Sequence, residues 1–113
     1  MLEMDPITMT AKDKLFELMK SDEPLLAPGG WNAISVKMIE AIGFRMSFIT
    51  GGGITESMLG LPDIGSITMS EMVSQVKNIC AVTSIPVIAD SDSGFGNAMN
   101  AMRPVSISYA PIK

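Results

Sequence analysis

The stretch "IPVIADSDSGFGN" at residues 85–97 decides the fold, because an apolar run leads directly into two aspartates and a glycine-rich turn. Residues 86–89 predict a short buried strand, in which proline is tolerated at the first position. Asp90 and Asp92 follow at the end of that strand. Alternate residues of a strand point to the same face, so the two carboxylates share a face wherever the extended geometry persists. The pattern favours either a Mg²⁺-type site or an acidic turn, in which Asp90 forms an Asx-turn or caps the next helix, and it does not choose between them.

Two similar transitions from strand to loop occur earlier in the chain. Residues 25–27 predict a short buried strand that is halted by Pro-Gly-Gly at 28–30. Residues 46–50 predict a second strand, which runs into three consecutive glycines at 51–53. Each of the three predicted strands is therefore followed by a loop of unusual composition.

Helical patterns separate these strands. A capped amphipathic helix is predicted over 11–20, a second runs from the cap at Asn32 to Gly43, and a short turn is expected near 54–59. The sequence TMSE at 68–71 fits a capping box and begins the clearest helix. In the second helix, four apolar residues recur on one helical face: Ile34, Met38, Ala41 and Ile42. The alternation predicts an α/β fold of parallel βα units, with functional groups beyond the carboxyl ends of the strands.

Composition narrows the classes of function. The 113 residues make one domain at most, or a piece of one, and 47% hydrophobic with 18% charged residues indicate a globular chain. No apolar run approaches the roughly 20 residues that cross a bilayer, so no membrane role is expected. A net charge of −4 with scattered basic residues argues against nucleic-acid binding. The start of the chain lacks a secretory signal, which favours the cytoplasm, with the mitochondrion as the alternative.

The absence of histidine leaves carboxylates to carry any acid–base or metal chemistry. Oxygen ligands of this kind suit a hard cation such as Mg²⁺. Cys80 is the only cysteine, which excludes an internal disulfide framework. Its place in an apolar helical stripe favours core packing over reactivity.

The other loops carry candidate residues whose types leave two interpretations open. Thr50 with the three glycines after it forms either an anion-binding nest or a tight turn into a helix. Asp63, between a proline and an isoleucine–glycine pair, is either a solvated turn residue or a catalytic acid. Trp31 and Asn32 line a pocket or pack at the edge of the core, and Phe48 faces the core or the mouth of the sheet.

Four segments taken together point to a family. The sequences "LLAPGGWNAIS", "FITGGGITESMLGLPDIG", "TMSEMV" and "IPVIADSDSGFGN" occur in this order between about Lys14 and Val105. The chain thereby resembles the N-terminal part of the isocitrate lyase/phosphoenolpyruvate mutase superfamily, in particular its smaller, methylisocitrate lyase-like members. The resemblance implies an incomplete (β/α)₈ TIM barrel, a homo-oligomer in the full-length family, and Mg²⁺, with Mn²⁺ as the alternative cation.

The resemblance also implies roles for individual residues. Asp90 and Asp92 match the metal-binding carboxylates of the family. Asp63 matches a catalytic acid on a mobile loop, which contributes to the water shell of the metal. The implied chemistry is cleavage or formation of a C–C or P–C bond in small 2-oxo or phosphono carboxylates through an enolate.

The residues that match the family's substrate-binding residues lie in and just after the second predicted strand. Thr50, Gly51 and Gly52 match the Ser-Gly-Gly or Ser-Gly-Ala stretch that holds the substrate carboxylate. Phe48 lies where many members place an aromatic residue near the substrate. The chain departs from the family by carrying Thr50 in place of serine, and Trp31-Asn32 in place of Tyr-Asp.

The resemblance covers less than half of a barrel, which needs about 250 residues. We expect a partial barrel domain over 1–105 and a divergent tail over 106–113. Pro104, just before this tail, disfavours the long helix with which the family continues. The later metal-binding acid and further substrate-binding residues of the family have no match here. Two functions follow: a Mg²⁺-dependent lyase or mutase that is truncated, or a non-catalytic chain that acts as an assembly or binding subunit.

Overall fold

The computed structural model describes residues 9–97, 99 and 100, and within them helices alternate with the strands of one parallel sheet. The elements are α1 (Ala11–Met19), β1 (Gly29–Gly30), α2 (Ala33–Ile42), β2 (Ser47–Ile49), α3 (Gly51–Leu59), α4 (Met69–Cys80) and β3 (Val87–Ala89). The strand order is β1-β2-β3, and Phe48 of β2 is in register with Gly29 and Ile88. This architecture confirms the prediction of parallel βα units. In the described part of the chain, no helix has the length and apolarity that a membrane span requires.

Three of the helices begin with the reciprocal hydrogen bonds of a capping box. Thr68 accepts a hydrogen bond from the amide of Glu71, whose carboxylate accepts one from the amide of Thr68. The same arrangement begins α1 at Thr10 and α2 at Asn32. Each box satisfies amide donors that the first turn of a helix leaves without partners. The predicted starts of these three helices are confirmed.

The core lies between one face of the sheet and the helices α2, α3 and α4. Six buried residues form one cluster there: Val36, Ile49, Ile54, Ile67, Met72 and Ile79. Ile49 of β2 is fully buried in this cluster. Phe48, the residue before it, points to the opposite face of the sheet because side chains alternate along a strand, and it is 38% exposed.

The first predicted strand was placed too early in the sequence. Residues 25–27 form no strand, Leu26 is exposed, and β1 consists of Gly29 and Gly30. A Cβ atom on Gly30 would lie 2.4 Å from Cγ2 of Val36, so only glycine allows α2 to approach the sheet this closely. The apolar run was therefore a poorer guide to β1 than the glycines that were taken to end it.

The apolar face that the sequence pattern marks on α2 is not the face that the helix buries. The side chains that α2 buries are Val36 and Ile39, and both lie against the position of Gly30. This contact fixes the rotation of the helix about its axis. It turns the expected apolar stripe outward, so that four residues are exposed: Ile34, Met38, Ala41 and Ile42.

Glu40 fastens the end of α2 to the loop that enters β3. Its carboxylate accepts hydrogen bonds from the hydroxyl of Thr83 and from both the amide and the hydroxyl of Ser84. These bonds hold the pKa of Glu40 below its ordinary value, and the bond from the hydroxyl of Ser84 has the largest effect. These hydrogen bonds thus link the end of α2 to the loop that precedes β3.

Cys80, the last residue of α4, is partly buried and forms no disulfide. Burial raises the pKa of its thiol, which keeps the thiol protonated. Both observations agree with the predicted packing role.

Candidate functional site

The carboxyl ends of β2 and β3 bring Asp90 beside the three glycines. Thr50 follows β2 and is the N-cap of α3, which begins at Gly51. The amide of Asp90 donates a hydrogen bond to the carbonyl of Ile49 at 3.0 Å, which extends the parallel ladder by one residue past β3. The ladder therefore places the first aspartate directly against the start of α3.

Two carboxylates lie against consecutive glycines in the first turn of α3. A Cβ atom on Gly51 would lie 2.9 Å from Oδ2 of Asp90, and one on Gly52 would lie 3.0 Å from Oδ2 of Asp63. Both distances are closer than real Cβ contacts normally are, so the absence of side chains at 51 and 52 is what admits the two acids. The structure thus brings together Asp63, Asp90 and the glycines, although 27 positions in the sequence separate the acids.

Thr50 holds the first turn of α3 in shape. Its Oγ1 accepts a hydrogen bond from the amide of Gly53 at 3.1 Å, and its own amide donates to the carbonyl of Gly30 at 3.1 Å. Among the described residues, no hydrogen bond reaches the amides of Gly51 and Gly52. These two amides and the hydroxyl proton of Thr50 are donors at a helix N-terminus, where the macrodipole favours an anion.

Asp92 does not continue the extended strand. Its φ of 49° is left-handed, and its amide donates a hydrogen bond of 2.8 Å to Oδ1 of Asp90. This is the Asx-turn of the polar-turn interpretation. The extended geometry under which the two aspartates would share a face does not persist through Asp92. The turn occupies one oxygen of Asp90 and leaves Oδ2 beside Gly51. The turn and a metal site are thus compatible, and the role of Asp92 as a ligand stays a prediction.

The two aromatic candidates lie at different places around the site. Phe48 is on the sheet face opposite the helices, in register with Ile88, so it lines the open face rather than the core. Trp31 is partly exposed, and its Cβ lies 3.2 Å from where a Cβ of Gly53 would stand. Asn32 serves as the N-cap of α2 and accepts a hydrogen bond from the amide of Ser35, which gives it a structural role.

Thr55 supports the site and was missed by the sequence interpretation. It is fully buried, and its hydroxyl donates a hydrogen bond of 2.8 Å to the carbonyl of Gly51. This bond spans one turn of α3 and fixes the peptide that Asp90 contacts. The signal in the sequence is a threonine four residues after the first glycine, a spacing that reaches the i−4 carbonyl in a helix.

The donor set fits a hard divalent cation only in part. Asp63 and Asp90 offer carboxylate oxygens, which Mg²⁺ prefers as ligands, and Asp92 adds a third carboxylate in the turn that follows Asp90. Within residues 9–97, 99 and 100, no group of three acidic, histidine or cysteine side chains is close enough to hold a metal ion. A groove of about 460 Å³ lies at the opposite end of the strands, where Arg45 and Ser84 contribute to its lining. It does not belong to the candidate site.

Comparison with known proteins identifies relatives of the chain. The family model described as phosphoenolpyruvate phosphomutase matches residues 15–106. A 2,3-dimethylmalate lyase from Eubacterium barkeri is 43% identical over 97 residues, which are 86% of this chain and 34% of that relative. A chloroplastic carboxyvinyl-carboxyphosphonate phosphorylmutase from Arabidopsis thaliana is 36% identical over 99 residues, which are 87% of this chain and 29% of that relative.

Solved structures show the same likeness in three dimensions. The crystal structure of 2,3-dimethylmalate lyase, a superfamily member, matches with a TM-score of 0.78 and 31% identity, over 87% of this chain and 36% of that one. The crystal structure of oxaloacetate acetylhydrolase matches with a TM-score of 0.77 and 33% identity, over 84% of this chain and 34% of that one. The chain spans about a third of the length of these relatives, and its fold is the N-terminal part of their (β/α)₈ barrel. It belongs to the isocitrate lyase/phosphoenolpyruvate mutase superfamily.

Proposed function

We propose that this chain supplies the cation-binding and carboxylate-binding part of a Mg²⁺-dependent lyase or mutase. The reaction cleaves or forms a C–C or P–C bond of a small 2-oxo or phosphono carboxylate. The observation that carries the proposal is the contact of Asp90 and Asp63 with consecutive glycines at the start of α3. A purely structural turn needs neither two acids nor two glycines at this point.

The acids of the site would hold the cation. Oδ2 of Asp90 is the first ligand in this proposal, since Oδ1 already accepts the amide of Asp92. The carboxylate of Asp92 and a water held by Asp63 complete the part of the shell that this chain contributes. When bound, Mg²⁺ or Mn²⁺ supplies positive charge beside an oxygen that becomes negative in an enolate.

The first turn of α3 would bind the substrate carboxylate. The amides of Gly51 and Gly52 and the hydroxyl of Thr50 donate hydrogen bonds to its oxygens, and the helix N-terminus favours the negative charge. Donors fixed by secondary structure need no rearrangement when charge develops, which is how such groups lower a barrier. Phe48 forms an apolar wall on the open sheet face and limits the access of water.

Binding of Mn²⁺ to the purified chain tests the proposal without requiring turnover. Electron paramagnetic resonance should show that Asp90→Asn weakens Mn²⁺ binding by at least about tenfold, and Asp63→Asn by less, because Asp63 acts through water. Asp22→Asn, at an exposed acid in the loop before β1, is the matched control and should bind as the wild type does. Equal binding by Asp90→Asn and Asp22→Asn would contradict the proposed site.

A second function is supported by the length of the match. The chain spans about a third of its relatives, and two described acids approach the glycines. On this alternative the chain is a non-catalytic subunit that assembles with itself or with a full-length relative. Size-exclusion chromatography combined with turnover assays on 2-methylisocitrate, oxaloacetate and phosphonopyruvate separates the two. Turnover by the purified chain would exclude the alternative, whereas assembly without turnover would support it.

A further inference from the structure

Thr55 is a buried polar residue whose hydroxyl joins no two elements of the fold. Among the residues that the structure describes, two polar side chains are fully buried, those of Ser47 and Thr55. Ser47 donates a hydrogen bond of 3.0 Å to the carbonyl of Pro28, which joins β2 to the segment before β1. The hydroxyl of Thr55 donates instead to the carbonyl of Gly51, one turn earlier in the same helix. The bond of Ser47 supports the sheet, whereas the bond of Thr55 needs another explanation.

The position of Thr55 is unfavourable for a threonine. A β-branched residue has a low helix propensity, and a hydroxyl that bonds the carbonyl one turn earlier slightly destabilises a helix. The helix already begins with three glycines, each of which weakens it relative to alanine. Valine would fill the same space without a polar atom to bury. Departures from local preference of this kind are expected at functional sites.

The hydrogen bond from Thr55 controls an amide of the candidate site. The carbonyl of Gly51 and the amide of Gly52 belong to one planar peptide unit, so a group that fixes the carbonyl also fixes the direction of the N–H. In a helix the carbonyl points toward the C-terminus and the N–H toward the N-terminus, where an anion is favoured. The hydroxyl of Thr55 therefore holds the inner side of a peptide whose outer side presents a donor to the site.

A peptide between two glycines has particular need of this support. Gly51 and Gly52 have no Cβ, so regions of φ and ψ that are closed to other residues are open to them, and their shared peptide rotates easily. The ladder of α3 directs the amide of Thr55 to the carbonyl of Gly51. A second bond, from the hydroxyl, restrains this carbonyl further and polarises the peptide, which makes its N–H a stronger donor.

We propose that Thr55 is a positioning residue, whose buried hydroxyl holds the amide of Gly52 in the direction that binds the substrate carboxylate. The inference rests on the proposed function, since it takes this amide to be a carboxylate donor. It does not extend to the cation. Asp90 is held by its own hydrogen bonds with Ile49 and Asp92, to which Thr55 does not contribute.

Three variants separate this role from a purely structural one. Thr55→Val keeps the shape of the side chain and removes the hydroxyl, whereas Thr55→Ser keeps the hydroxyl and removes a buried methyl group. Ser57→Ala is the matched control, because it removes a hydroxyl of the same helix that donates to the carbonyl of Ile54, away from Gly51 and Gly52. Pyruvate, the simplest 2-oxo carboxylate, is titrated into each isotopically labelled chain in the presence of Mg²⁺ and followed by NMR.

The variants should lose affinity and stability in opposite ways. Before pyruvate is added, Thr55→Val should shift the amide nitrogen resonance of Gly52, whose peptide loses a bond at its carbonyl, and Thr55→Ser should not. Thr55→Val should weaken pyruvate binding about three- to tenfold, the worth of one hydrogen bond, with the thermal midpoint and Mn²⁺ binding close to the wild type. Thr55→Ser should keep the affinity for pyruvate and lower the thermal midpoint by a few degrees.

The inference is overturned if Thr55→Val binds pyruvate as tightly as Ser57→Ala does, or if Thr55→Ser binds it as weakly as Thr55→Val. It is also overturned if pyruvate binding, Mn²⁺ binding and the thermal midpoint fall together in Thr55→Val, which is the result of a structural role. An unshifted Gly52 resonance in Thr55→Val would refute the positioning alone. A wild-type chain that binds no pyruvate would overturn the proposed function and this inference with it, a result distinguishable from the others because it needs no substitution.

Discussion

Replacing Gly51 by alanine should separate the stability of the chain from the Mg²⁺ binding that we propose for it. The new Cβ would lie 2.9 Å from Oδ2 of Asp90, whereas ordinary contacts begin near 3.4 Å. The carboxylate must therefore move by about 0.5 Å, because dispersion gives way to steep repulsion at shorter distances. It has little freedom to do so, since Oδ1 is hydrogen-bonded to the amide of Asp92.

A displacement of this size matters more to Mg²⁺ than to Ca²⁺. Mg²⁺ requires ligands at about 2.0–2.1 Å in near-octahedral geometry, while Ca²⁺ accepts about 2.3–2.6 Å and irregular geometry. Ligand positions must be correct to about 0.2 Å. We therefore expect Gly51→Ala to weaken Mg²⁺ binding at least about tenfold, or about 1.4 kcal/mol, and Ca²⁺ binding by less.

The same substitution should not destabilise the fold. Gly51 is the first residue of α3 and has no positive φ, so alanine can adopt its backbone conformation. Gly-to-alanine changes at such positions stabilise by about 0.4–1 kcal/mol through the unfolded state. This gain is offset by the cost of displacing the carboxylate of Asp90, so the thermal midpoint should change by no more than a few degrees.

Isothermal titration calorimetry and thermal denaturation by circular dichroism provide the two measurements. Gly29→Ala is the control, because its Cβ would lie 3.7 Å from Cγ2 of Thr50, an ordinary contact. Wild-type Mg²⁺ affinity in Gly51→Ala would refute the reasoning. So would an equal loss of affinity in Gly29→Ala, since that loss could not arise from Asp90.

Three further variants test the elements that hold the site in place. Thr68→Ala removes the N-cap of α4, and chemical denaturation should show a loss of about 1 kcal/mol, with Thr68→Ser close to the wild type. Ile49→Ala leaves a cavity at a fully buried position in β2 and should lower the free energy of unfolding by about 2–5 kcal/mol. A loss below about 1 kcal/mol would contradict the assignment of Ile49 to the core. Hydrogen bonds, the largest effect coming from the hydroxyl of Ser84, lower the pKa of Glu40. The ionised carboxylate therefore contributes its full stabilisation of the fold above the ordinary glutamate pKa of about 4.3. This stabilisation is lost as the pH falls through the lowered pKa. The thermal midpoint of Glu40→Gln should therefore fall less between about pH 6 and about pH 3 than that of the wild type, and parallel curves would contradict this account.

The starts of α1, α2 and α4 and the second and third strands were predictable because local chemistry determines them, whereas α3 begins at Gly51, earlier than the short turn expected near 54–59. Thr68 with Glu71 forms a capping box that needs no tertiary partner, and its sequence pattern is sufficient. The strand at 87–89 was predictable because its apolar run stands between a proline and an aspartate. By contrast, the position of β1 and the rotation of α2 depend on the contact of Gly30 with Val36, which no local pattern reveals.

The sequence predicts that Asp90 lies near the glycines, but it does not predict the remaining geometry of the candidate site. The strand-end motifs identify Asp90 and the glycines as neighbours, because parallel strands end at the same edge. The backbone conformation of Asp92 was not predictable, since the same sequence is compatible with a left-handed Asp92 in an Asx-turn and with an extended one. The contact of Asp63 with Gly52 depends on the path of the loop between α3 and α4, which periodicity does not specify.

The three glycines after Thr50 have different neighbours, and this should govern how the sequence can vary. A Cβ on Gly53 would lie 2.7 Å from Cγ2 of Thr50, the methyl group that distinguishes threonine from serine. A serine at 50 would keep the capping hydroxyl and remove the shortest contact of an alanine at 53, which would then meet only Cβ of Trp31, at 3.2 Å, as a tight neighbour. Among homologous sequences, positions 50 and 53 are therefore expected to covary as a pair, whereas Gly51 and Gly52 are each constrained by a distant acid.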